Sequence, residues 1–123
     1  MVYIRDLQQA YNHVRELLLE KLDVEHIGGR AGRLEDKTTN HKDYRAVFEF
    51  RLKHKTHIKR LQQLLEMRDY GVRFIFGEHV IKNAPTTDLW KIMLVAENGL
   101  PSEQEESLVR ALNELGKEIE GYR

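Results

Sequence analysis

Residues 51–60 carry five Lys/Arg and two histidines with no acid among them. Arg51, Lys53, Lys55, Lys59 and Arg60 therefore concentrate positive charge where the residue pattern starts a helix. Cations there oppose the positive end of the helix dipole, and a bound anion would relieve both. The chemistry this suggests is recognition of a phosphate, a nucleic-acid backbone or an acidic protein surface, against the plainer use of Lys and Arg to solvate a strand end. A second candidate is the glycine-rich run that holds Gly28, Gly29 and Gly32 with Arg30 and Arg33. Glycines let backbone N–H groups approach an anion. The Lys-Ser/Thr pair that ends a phosphate loop is missing, and a helix precedes the run where a dinucleotide loop needs a strand. The run is better explained as a basic contact loop. Arg45, close by in sequence, completes the set of candidate partner- or anion-binding residues.

Other constellations carry less. His54 and His57, followed by Glu78 and His79, permit a histidine–carboxylate metal site to be drawn, but no His-Glu-x-x-His motif is present and His54 precedes the helix. Ser102 and Ser107 are explained as a helix cap and a helix-surface residue, and neither lies on a nucleophile elbow. The chain has no cysteine, which excludes disulfides, thiolate metal sites and cysteine nucleophiles. The expectation is a protein that is not an enzyme and carries no cofactor or metal. Base stacking on Phe48 and Phe50 would need both rings on an open strand face, whereas their phase turns them with Leu52 toward the core.

The elements that position these residues follow from periodicity. Every second residue from Tyr44 to Leu52 is apolar, which predicts a half-buried strand over 44–52. Ile58, Leu61, Leu64 and Leu65 then recur at helical spacing, with Thr56 to cap the start and Gly71 to stop the end. Val72, Phe74 and Phe76 resume the alternation, and turn chemistry at residues 83–87 leads into residues 89–96. That run is apolar in both phases apart from Lys91, as a central strand covered on both faces would be. Ahead of this core, Ile4, Leu7, Tyr11, Val14, Leu18 and Leu22 mark a helix over 3–22. Residues 23–43 read as a flexible basic loop or irregular hairpin, with 24–27 and 31–34 as candidate arms. After the core, Ser102 and Glu105 form a capping box for a last helix striped by Leu108, Ala111, Leu112, Leu115 and Ile119.

The resulting expectation is one α+β domain over 1–123, with a ferredoxin-like split βαβ core (strand-helix-strand-strand-helix) whose final strand is missing, so that either residues 24–34 supply it or the sheet keeps an open edge. The N-terminal helix is expected to cover the second sheet face, with pairing to a second copy as its competing use. No apolar run approaches the roughly 20 residues of a membrane span, and no secretory signal opens the chain, so no membrane partner and a cytoplasmic location are expected. The net charge is zero, yet residues 1–60 hold 13 Lys/Arg against 9 Asp/Glu while residues 61–123 hold 7 against 11. Such polarity suits end-to-end contact between copies. The function expected is a non-catalytic protein-binding or assembly module, self-associating as a homo-oligomer through an open sheet edge, a partly apolar sheet face and oppositely charged poles. The alternative is a nucleic-acid-binding module that uses the 51–60 cluster and the 28–33 loop.

Overall fold

The computed structural model describes residues 2–25, 27–36, 41–52, 54–66, 69–78 and 89–122. Its elements are α1 (Leu7–Leu22), β1 (Ile27–Gly28), β2 (Ala31–Asp36), β3 (His41–Arg51), α2 (Lys55–Glu66), β4 (Arg73–Glu78), β5 (Leu89–Ala96) and α3 (Pro101–Glu120). The protein is α+β, with three helices and a five-stranded antiparallel sheet among the described residues. No helix there is long and apolar enough to cross a membrane.

β5 lies between β3 and β4, the inner position that its apolar run predicts. β1 and β2 both pair with the outer edge of β3. Ile27 lies opposite Phe50 and Ala31 opposite Ala46, so the two behave as one strand interrupted at Gly29 and Arg30 without a change of register. Gly29, at φ 111°, permits this approach: a Cβ on it would stand 2.0 Å from the Val47 carbonyl oxygen. The expected ferredoxin-like split βαβ is not established by this strand order, because the strand beside β3 comes from before the core and not from a final strand after α3.

Alternation along the strands separates two faces. Ala46, Phe48 and Phe50 of β3 and Ile92 and Leu94 of β5 are fully buried in one core with residues of all three helices. The expectation that the N-terminal helix covers the other face is corrected. Tyr11 of α1 stacks on Phe48 at 4.4 Å between ring centroids, which places α1 on the same face as α3. The physical reason is the width of its stripe. Tyr11 and Leu18 meet the main core while Val14 and Leu17 approach Gly116 of α3, where a Cβ would find both at 3.6 Å. One helix thus packs on the sheet and on its neighbour, and the second sheet face has no helix over it among the described residues.

Helix starts also differ from their sequence signals. α1 begins at Leu7, because the Asp6 carboxylate accepts the Gln9 N–H at 2.9 Å and caps it there. α3 begins at Pro101, not after Ser102. Pro101 fits the first helical position, which needs no N–H donor, and the Glu103 carboxylate accepts the Leu100 N–H at 3.3 Å.

Candidate interaction face

Strand pairing arranges the uncovered face in rows across the sheet. Val95 stands between Arg45 and Arg73, Met93 between Val47 and Ile75, and Lys91 between Glu49 and Gly77. A charged row, an apolar row and a mixed row result. They differ in burial for a physical reason. Val95 is 1 % exposed between its two arginine neighbours, whereas Ile75, on a strand whose outer edge has no pairing partner among the described residues, is 40 % exposed. Arg73 Nε lies 2.7 Å from Glu97 Oε1 with both side chains about half exposed. Arg45 Nη2 lies 3.5 Å from the buried carboxylate of Asp43.

On the β1–β2 side the register continues the same face through Arg30, opposite Val47, and Leu34, opposite Asp43. Arg30, Arg45, Lys91, Glu35 and Glu49 line an open depression of about 230 Å³ around Val47 and Met93. Gly29 is at its rim, so the glycine that lets the strands approach also shapes the hollow. Its cations and carboxylates are interleaved around the apolar residues, with Glu49 directly opposite Lys91. It offers no general base beside a nucleophile.

The candidate residues named from sequence are divided by the fold. Arg30 and Arg45 share the depression on the uncovered face, whereas Arg51, six residues along β3 from Arg45, is on the same face at the other end of the strand. Arg33 lies opposite Tyr44, in the other phase, and is exposed. Lys59 and Arg60 are exposed on α2, whose Leu61 and Leu65 enter the core, so both belong to the helix layer. The Arg60 guanidinium carbon is 5.6 Å from the centre of the Tyr122 ring, a cation–π contact that gives this arginine a structural partner. Lys55 is the first residue of α2, and Lys53 lies outside the described residues, as do His79 and the turn at 83–87. Sequence reasoning left Lys91 and Arg73 out of the site. The signal for Lys91 was present, since it is the lone charge in an otherwise apolar strand.

Other concavities include one that shares Arg73 and Val95 with the uncovered face. It measures about 370 Å³ and includes Asp69, Glu97 and Ser107, and another of about 360 Å³ lies between Tyr3, Arg5 and the first turns of α3. Among the described residues no three His, Asp or Glu side chains are grouped closely enough to hold a metal ion. No protein-family model, no curated protein and no solved structure matches the chain.

Proposed function

We propose that the protein is a non-catalytic assembly module that binds protein, in the first place a second copy of itself, through the uncovered sheet face. The observation that carries this reading is the row Val47, Met93 and Ile75, apolar side chains lying between charged rows on a face that no described element covers. A sheet face of this kind gains free energy when a partner removes it from water, at about 25 cal/mol per Å² of apolar area. The outer edge of β4 adds unpaired strand backbone among the described residues, a second place for a partner to pair. In this proposal β3, α2 and β4, with β5 between the two strands, act as a ferredoxin-like platform on which β1–β2 takes the place of the final strand. The lack of cysteine fits the cytoplasmic setting that belongs to the same proposal.

The nucleic-acid alternative has less support. Its cations are split between the sheet face and the helix layer, and no aromatic ring lies on the uncovered face among the described residues to stack a base. Light scattering coupled to size exclusion, at about 0.1 M and about 1 M salt with absorbance at 260 and 280 nm, separates the two. A nucleic-acid-free oligomer that weakens in high salt is the expected result. A monomer that carries nucleic acid until salt strips it would sink the assembly reading.

A further inference from the structure

The two outer edges of the sheet differ. On one side β1 and β2 are interrupted at Gly29 and Arg30, Gly29 and Gly32 have φ values of 111° and 147°, and Arg33 and Glu35 are exposed. Interruptions and charges of this kind keep a sheet edge from pairing with another chain. The other edge is β4, whose outer side has no pairing partner among the described residues. Its middle is Phe74-Ile75-Phe76, with no proline, no charge and no positive φ. Phe74 and Phe76 are only partly buried where they pack on the core, and Ile75 is 40 % exposed on the opposite face. This edge therefore offers unpaired backbone together with apolar side chains on both of its faces.

We infer that the outer edge of β4 pairs with the same edge of a second copy, antiparallel about a twofold axis, so that Ile75 meets its own counterpart. This rests on the self-assembly reading above and adds which strand joins the copies. A second copy fits because Phe-Ile-Phe reads the same in both directions, so an antiparallel partner centred on Ile75 sets Phe74 beside the counterpart of Phe76. A twofold axis perpendicular to the sheet keeps each phase of side chains on its own face, which requires odd-numbered residues to meet odd and even to meet even. The centre at Ile75 meets this condition. It also sets Arg73 beside the counterpart of Gly77, which has no side chain to oppose the arginine stem, and it opposes no like charges. A centre at Phe74 or at Phe76 would set Ile75 against Arg73 or against Gly77 and lose that apolar match.

The row Val47, Met93 and Ile75 then continues across the axis into the same row of the second copy, doubling its length. The contact is isologous and closes at two copies. β4 has 6 residues and is about 20 Å long, so the pair stands in equilibrium with the single chain and forms as concentration rises.

Because the chain has no cysteine, a single introduced thiol reports one position. Ile75→Cys, Met93→Cys and Leu19→Cys are compared under mild oxidation of the full chain, beside sedimentation velocity of the wild type. Opposed residues of paired antiparallel strands have Cα atoms about 4.5–5.5 Å apart, within reach of a disulfide. Met93, one strand further in, would stand about 14 Å from its counterpart, beyond that reach. Leu19, on α1 and 37 % exposed, measures cross-linking by random collision at an exposure close to that of Ile75. Ile75→Cys is expected to cross-link at least about tenfold faster than either control. A second pair of variants reads the same contact by charge. Ile75→Lys and Ile75→Glu, each with unchanged circular dichroism, lose association because like charges meet on the axis, and their equimolar mixture recovers it. Cross-linking of Met93→Cys as fast as that of Ile75→Cys overturns edge pairing in favour of contact across the face and leaves self-assembly standing. Wild-type association by Ile75→Lys does the same. A wild type that is monomeric at every concentration overturns the underlying assembly reading as well.

Discussion

Tyr11 joins three parts of the molecule through one side chain. Its ring stacks on Phe48, and its phenol donates a hydrogen bond of 2.6 Å to the Val47 carbonyl, the same oxygen that Gly29 approaches. Burial pushes the phenol up from 10.0 to about 12, with Arg15 opposing the shift and Glu49 adding to it. The sign of the linkage follows. A phenol whose folded pKa exceeds its unfolded value contributes stability that is complete below pH 10 and is lost as pH rises toward about 12. Tyr11→Phe keeps the stack but leaves the Val47 carbonyl without this donor, so the cost in urea denaturation at neutral pH is about 1–3 kcal/mol. The variant also flattens the fall in stability over that alkaline window. Equal stability of the two proteins at neutral pH would show that water replaces the phenol without loss. The sequence placed Tyr11 in the apolar stripe of its helix, since that depends on local spacing. Its bond to Val47 was not legible, because the partner lies 36 residues away and a backbone carbonyl leaves no mark in the sequence.

At the scale of elements, the seam between the N-terminal segment and α3 depends on Asn113, a polar residue 6 % exposed in an otherwise apolar stripe. Its Oδ1 accepts the Ile4 N–H at 2.9 Å, and its Nδ2 donates to the carbonyls of Ile4 and Val109, each at 2.8 Å. The side chain meets the backbone of residue 4 as a neighbouring strand would. Asn113→Ala leaves the Ile4 N–H and carbonyl unpaired and is expected to cost about 2–3 kcal/mol, with faster amide exchange over residues 2–6. Asn113→Asp does not rescue it, because a carboxylate cannot donate to the two carbonyls. An unchanged melting curve for both variants would remove the seam from the account. This clamp is also why the chain before α1 lies along α3 as an extended segment, where periodicity alone extended the helix back to residue 3. Strand legibility divides on burial. The inner position of β5 was readable from its apolar run, whereas the cover expected on both of its faces is found on one among the described residues. β2 was legible only as a candidate arm over 31–34, and the start of β3 before Tyr44 was not, because Lys42 is exposed at the sheet edge and Asp43 is buried against its type.

At the scale of the whole molecule, the sheet has two faces and the helices among the described residues cover one of them. The charge imbalance between the halves was visible in the sequence, but the placement of the uncovered face behind the helix layer needed the fold, since α1 could have covered either side. If the uncovered face binds a second copy as proposed, it serves both folding and binding, and two threonine substitutions separate these uses. Val95 is 1 % exposed and Ile75 is 40 % exposed, although both point to the same side of the sheet. Val95→Thr keeps shape and strand preference while burying a hydroxyl, and is expected to cost about 1–3 kcal/mol of folding stability. Ile75→Thr removes apolar area that is already partly in water, so its folding cost stays below about 1 kcal/mol. Its effect is on association, which weakens severalfold because the apolar row is what a partner would cover. Salt would tell an apolar from a charged contribution to such association: screening at about 1 M weakens charged contacts but leaves the contribution of Ile75 in place. The wild type and Ile75→Thr should therefore differ in association by a similar factor at low and high salt. Equal association at both would mean that the apolar row is ordinary exposed surface, and that any joint between copies is made by charge alone.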